Sequence, residues 1–265
     1  MHGYFRGRVL CLATGLLADK TIGTYRQMFQ TLKNEIRRLT GNRWAPAICI
    51  SDFEQSIVTA FETEFPNARV NGCYFHFAQN LWRKIQELGL AAAYRHNINL
   101  KRCLQKVMAL GFVPLPVVRI TYQNFLLRAS TLRLINIYPN LQLFFNYFSN
   151  NYMNGNFQPL MWNVYQRRME FRTNNFVESY HSRWNNAVGV RHPSLWYFIR
   201  VLKDQEAVNQ VAVQGMLNGN PPPARKRKWR ELERQIDALK NQYNVGVRNL
   251  DSYWRAVCHR IVQFR

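Results

Sequence analysis

The side chains of this sequence whose types and spacing could do chemistry fall in three places: Asp52, the pair Cys73 and His76, and Glu178 with His181. Asp52 follows the short apolar run 47–50, bounded by Pro46 and Ser51; four residues are too few for a helix and read as a buried strand. A carboxylate leaving the C-terminal end of such a strand projects into the crevice where open α/β sheets gather ligands. The competing reading makes Asp52 a cap for a helix starting at Phe53 or Glu54. Cys73 and His76 form C-x-x-H, half of a tetrahedral zinc set. No second pair has convincing spacing, so buried packing or a hydrogen bond behind a metal ligand ranks above zinc. In FRTNNFVESYHSRWNNAVG, residues 171–189, Phe176, Tyr180 and Trp184 recur every four residues as one helical stripe. Glu178, His181 and Arg183 lie off it, with Glu178 and His181 as i, i+3 neighbours. Asn175 to Glu178 also has capping-box spacing, and taken alone that reading stands.

The elements that must position these groups follow from periodicity. MHGYF, a turn at Arg6-Gly7 and RVLCLATGLL predict a β-hairpin whose second arm is apolar enough to be covered on both faces. After the Asp19-Lys20-Thr21 loop, Tyr25, Met28, Phe29, Leu32 and Ile36 predict a helix ending at Gly41. Ile57, Ala60, Phe61 and Phe65 keep helical spacing until Pro66-Asn67. Residues 69–74 are then extended, and CYFH leads into another helix.

Strand, acid, helix, FP, strand, C-x-x-H, helix, with the pieces DFE, EFP and CYFH in that order, resembles the catalytic core of Mutator-like transposases. The hairpin, the DKT loop and TYRQMFQTLK fit the stretch preceding the second acid of the family's DDE triad, and RTNN followed by FVESYHSRWNN resembles the segment carrying the last acid. The resemblance covers residues 1–189 and implies a fold and an activity. The fold is α/β, a ribonuclease H-like mixed sheet with a large helical insertion. The activity is two-metal DNA strand cleavage and transfer with Mg²⁺ or Mn²⁺, using Asp52 and Glu178 as two of three carboxylate ligands. In the family the first acid lies on a central strand upstream of the hairpin, whereas this chain opens at the hairpin. Asp19 falls in the loop and does not align with that acid. The expectation is therefore an N-terminally truncated core, lacking its first strand and inactive by itself. A domesticated or degenerate, non-enzymatic DNA-binding derivative is the other reading.

Four segments are expected: 1–85 as the core strands and first helices, 86–161 as the helical insertion, 162–189 as the last core helix, and 190–265 as a helical basic region. Within the insertion, Leu100, Cys103, Leu104, Val107 and Met108 form one stripe, and residues 117–127 another helix. The aromatics Phe144, Phe145, Tyr147, Phe148 and Tyr152 could stack on bases, but their helical spacing favours core. Ser194 is placed to cap a helix containing Leu195, Phe198, Ile199 and Leu202, and 218–223 reads as a linker. Leu232, Ile236, Leu239 and Tyr243 mark a further helix with too few apolar positions for a coiled coil, and 247–264 the last one.

Thirty-six Lys and Arg against 15 Asp and Glu give a net charge of +21, while 47% of residues are apolar. That combination argues against a disordered chain and fits a folded protein binding a polyanion, which the resemblance implies is double-stranded DNA. Contacts to phosphate, or support behind the metal ligands, are expected from Arg172, Asn174, Asn175, His181 and Arg183. The basic cluster Arg225, Lys226, Arg227, Lys228 and Arg230 is a phosphate-binding or nuclear-targeting element, or simply a solvated helix start. Nuclear localisation is the expectation, with that cluster as its candidate signal, and a second copy of the chain is a further candidate partner. The sequence shows no long uncharged apolar stretch, so a membrane partner is not expected. Five scattered Cys make no disulfide framework and fit a reducing compartment.

Overall fold

The computed structural model describes residues 1–168, 171–172, 184–222 and 227–261. The chain divides into two compact units, Met1–Ala18 with Asn174–Lys226, and Asp19–Thr173 with Arg227–Arg265. This partition differs from the expected segments, because the basic C-terminal region is shared between the units and residues 1–18 group with its first half.

In the smaller unit, β1 (His2–Phe5) and β2 (Arg8–Cys11) pair antiparallel, with His2 opposite Cys11 and Phe5 opposite Arg8. Arg6 and Gly7 both adopt positive φ, 45° and 84°, the two-residue turn whose twist matches the paired strands. The second arm is shorter than its apolar text predicted. Leu10 is buried, but Leu12 and Leu16 beyond the strand are 66% and 60% exposed, so that arm is not covered on both faces. The guanidinium of Arg6 donates to the Met216 carbonyl at 3.1 Å, tying the turn to α10 (Leu195–Leu217). Ser194 caps α10 as expected, its hydroxyl accepting from the Tyr197 N–H at 3.3 Å. Residues 184–188 are helical, and Trp184 meets Phe198 edge to face at 5.2 Å.

The larger unit begins with α1 (Ile22–Thr40). Asp19 accepts from the Thr21 N–H and from the hydroxyls of Thr21 and Thr24, so the DKT loop is the start of this helix. Gly41, with φ of 72°, ends it. Next come β3 (Ile48–Ser51), α2 (Gln55–Glu64) and β4 (Arg69–Gly72). β3 and β4 run parallel, in register from Ile48 opposite Arg69 to Ser51 opposite Gly72. Among the described residues the sheets are β1–β2 and β3–β4.

α1 docks on α2 through Phe29, which meets Phe61 and Phe65 edge to face at 5.5 and 5.7 Å. At the end of that contact, Glu64 accepts from Arg26 at 3.0 Å, Gln30 at 2.8 Å and Lys33 at 2.6 Å, three residues on one face of α1. The Lys33 hydrogen bond is the largest cause that holds the Glu64 carboxyl down, to about 2 from an ordinary 4.5. A depressed carboxylate contributes stability above its unfolded pKa, and that stability drains away as pH falls through the folded value. Unfolding free energy should therefore drop between pH 4.5 and 2 by roughly 1–2 kcal/mol more in the wild type than in Glu64→Gln, after discounting for the solvent-screened Arg26 and Lys33. Equal acid sensitivity in the two proteins would show that the cluster contributes nothing.

The rest of this unit is helical: α3 (Tyr74–Glu87), α4 (Ala91–His96), α5 (Ile98–Ala109), α6 (Val118–Leu126), α7 (Ala129–Ile137), α8 (Asn140–Phe148), α9 (Pro159–Trp162), α11 (Arg227–Asn244) and α12 (Leu250–Ile261). Buried residues of α3, Tyr74, Phe77, Leu81 and Ile85, keep the three- and four-residue spacing of one face. Phe144, Phe145, Phe148 and Tyr152 are at most 1% exposed and belong to the core, not to a base-stacking surface. Their polar neighbours are paired inside: the Tyr122 hydroxyl donates to the Phe145 carbonyl at 3.1 Å, and the Trp162 indole N–H to the Tyr152 carbonyl at 2.9 Å. α11 and α12 are part of this core. Leu232, Ile236 and Trp254 share the core with Phe77, so the apolar positions too few for a coiled coil suffice to seat one helix face.

Candidate active site

In-register parallel pairing places the residues after β3 and β4 side by side. Asp52 follows Ser51 and Cys73 follows Gly72; the Cys73 N–H donates to the Ser51 carbonyl at 2.8 Å, so the D-F-E and C-x-x-H motifs meet at one strand edge. Asp52 is exposed and accepts a 3.4 Å contact from the Ser51 hydroxyl. It does not cap α2, because the residue at the cap position is Glu54, whose side chain makes no capping bond either.

Glu54 is turned the other way. Its carboxylate accepts from the Tyr25 hydroxyl at 2.7 Å and pairs with Lys20 at 3.4 Å, which fastens the motif to α1. Burial first, then the Glu54 hydrogen bond, raises the Tyr25 hydroxyl well above its usual range, and the charge of Asp52 adds to the effect. Of the two acids, Glu54 is committed to holding the segment and Asp52 faces solvent.

Phe53, between them, points into the helical core, 5.7 Å from Tyr152 and 5.2 Å from Phe157 by ring centroids. Its ring crosses Gly72 so closely that a Cβ there would stand 2.7 Å from the Phe53 Cε1. Tyr152 and Phe157 leave that ring little room to retreat, so Gly72→Ala should cost about 1–3 kcal/mol as an overpacked site. Chemical denaturation measures it; an unchanged midpoint would mean that Phe53 moves freely.

Cys73 is fully buried at the start of α3, and His76 lies partly buried in the first turn. Among the described residues no group of three His, Cys, Asp or Glu side chains is placed to hold a metal ion. Asp52, exposed at this strand edge, offers the hard oxygen donor that Mg²⁺ prefers. Glu178, His181, Asn174, Asn175, Arg183, Arg225 and Lys226 lie outside the described residues.

Arg172 is described, and it is buried at 5% exposure. Its guanidinium donates to the Arg167 carbonyl at 3.2 Å, pairs with Asp237 of α11 at 3.5 Å and lies over the Phe112 ring. Its own carbonyl accepts from the Tyr74 N–H at 2.9 Å. A side chain committed inward is not placed for a phosphate contact, one of the two roles expected of Arg172; it ties the chain leading towards Glu178 to the start of α3 and to α11.

Arg167 escaped the sequence reading. It is 9% exposed, donating to the Gly72 carbonyl at 2.6 Å and to that of Met161, and burial lowers its pKa to about 9, helped by nearby Arg69. No motif or periodicity marks an arginine that serves backbone carbonyls. Arg227, Lys228 and Arg230 are exposed on the first turn of α11.

Residues 4–80 match the family model of the MULE transposase domain. The resemblance drawn from the motifs is thereby shown for that stretch, from the hairpin through C-x-x-H to Asn80. No curated protein and no solved structure matches the chain. No described helix is long and apolar enough to cross a membrane.

Proposed function

We propose that this chain is part of the catalytic core of a Mutator-like DDE transposase, with a ribonuclease H-like arrangement in which Asp52 and Glu178 are two carboxylate ligands of a divalent-metal site acting on DNA. The observation that carries it is Asp52, exposed at the C-terminal edge of a parallel strand pair, beside the C-x-x-H turn and within the matched domain. Bound Mg²⁺ or Mn²⁺ would supply Lewis acidity at phosphorus. The chain's own residues orient and hold. Glu54, Tyr25 and Lys20 fix the Asp52 backbone, and Arg167 holds the Gly72 carbonyl at the neighbouring strand end. Exposed Arg227, Lys228 and Arg230 supply positive charge for DNA phosphates, which fits double-stranded DNA as partner and the nucleus as location.

Mn²⁺ binding followed by electron paramagnetic resonance tests the assignment. Weak binding by the wild type should be lost in both Asp52→Asn and Glu178→Gln; binding that survives both substitutions removes these residues from the metal site. With two carboxylates, the metals would keep mostly water in their shells, so the chain should not cut plasmid or pre-nicked DNA by itself. Cleavage abolished by Asp52→Asn would instead mean that a third acid lies within these 265 residues. DNA binding without any metal binding would favour the non-enzymatic derivative.

A further inference from the structure

Of the seven tryptophans, Trp162 and Trp254 are at most 1% exposed and Trp44, Trp82, Trp184 and Trp229 are partly buried, whereas Trp196 is 79% exposed. It stands in the first turn of α10 and is the most exposed large apolar side chain among the described residues. A solitary aliphatic residue in water needs no explanation, but an indole leaves one of the largest apolar side-chain surfaces there.

Its surroundings are cationic. Arg200 and Lys203, four and seven residues on, share its helix face and are exposed. Arg200 lies over the Tyr197 ring at 5.1 Å, which holds the guanidinium along the helix surface one turn from the indole. Arg191 and His192 are exposed in the segment leading into the helix, and the first acids of α10 are Asp204 and Glu206, beyond that face's cations. A flat π surface with cations on its own helix face and in the preceding segment, in a chain of net charge +21, is complementary to a nucleobase with flanking phosphates.

We propose that Trp196 stacks on an unpaired base of DNA while Arg191, Arg200 and Lys203 contact the flanking phosphates, so that this surface binds single-stranded or locally opened DNA in preference to intact duplex. The proposal rests on the DNA-binding reading above and adds a structural preference to it. Intact duplex hides its base faces and offers this surface phosphates alone; an unpaired base offers both.

The experiment measures binding of the whole chain to a fluorescently labelled single-stranded oligonucleotide, a blunt duplex of the same sequence, and that duplex with one unpaired base. Trp196→Ala should weaken binding to the single strand and to the unpaired-base duplex by about 5- to 150-fold, leave the blunt duplex within about twofold, and be largely rescued by Trp196→Phe. The side chain is exposed, so the variant keeps its fold, checked by circular dichroism. Equal losses on all three DNAs, or no loss on any, overturn the stacking role while leaving the DNA-binding reading intact. Failure of the wild type to bind even the blunt duplex overturns that reading, and this inference with it. A change from dimer to monomer on Trp196→Ala in sedimentation would overturn it in favour of a second copy covering the indole.

Discussion

Raising salt from about 50 to 200 mM should weaken binding of this chain to duplex DNA by about a thousandfold or more, with log affinity falling linearly against log salt. Each neutralised phosphate releases condensed counterions, and a slope of that size corresponds to roughly six or more phosphates. The chain has the charge for it, +21 overall. It also has exposed clusters to deliver it, Arg227, Lys228 and Arg230 on α11 among them. Little sequence preference should accompany the salt dependence, because phosphate contacts carry no base information. Arg172 makes an internal control: its charge is directed at Asp237 and the Arg167 carbonyl, so the slope should be the same in Arg172→Lys. Fluorescence anisotropy over a salt series decides the matter, and affinity indifferent to salt would exclude a phosphate-dominated interface.

The largest loss of stability should come from Phe77→Ala, about 3–5 kcal/mol. Phe77 is fully buried and stacks on Trp162 with ring centroids 4.9 Å apart and an interplanar angle of 7°. Tyr152, Tyr74, Phe148 and Phe53 surround it at 5.2, 5.8, 6.2 and 6.2 Å. These rings come from four parts of the chain distant in sequence, and a cavity at their meeting point cannot be closed by any one of them moving. Phe77→Leu should cost less, since it leaves a smaller void. Urea denaturation compares the three proteins, and a loss below about 1 kcal/mol for the alanine variant would mean that the cluster collapses into the gap.

Local structure was the most legible part of the sequence. α1 declares its C-terminal end through Gly41, and α5 and α8 show their buried faces as three- and four-residue spacing. Asp52 and C-x-x-H were recognisable because motif order survives in text. Their proximity was not, because it depends on the parallel pairing of β3 with β4, a contact between segments about twenty residues apart. Arg172 and Arg167 misled or escaped for one reason: an arginine reads as surface charge until its desolvation is offset by carbonyls and a carboxylate that only folding brings near. The hairpin's second arm erred in the same direction, since an apolar run does not state whether anything covers it. The docking of α11 and α12 on the main core likewise leaves no local trace, as an amphipathic face does not name its partner.

The parallel register of β3 and β4 acts as a ruler for the site. Side chains on a strand alternate faces, so deleting one residue between Pro46 and Asp52 would either turn the acid to the opposite side or force the pairing to slip. Either outcome separates Asp52 from the turn at Cys73. The excursion through α2 is different in kind, since it leaves one strand and returns to the other. Its length is set by the Phe29, Phe61 and Phe65 contacts and the Glu64 cluster, and not by the site itself. Spacing is therefore fixed by the site before the acid and by the packing of α1 on α2 after it, a constraint that acts on insertions and deletions and not on the choice of side chains.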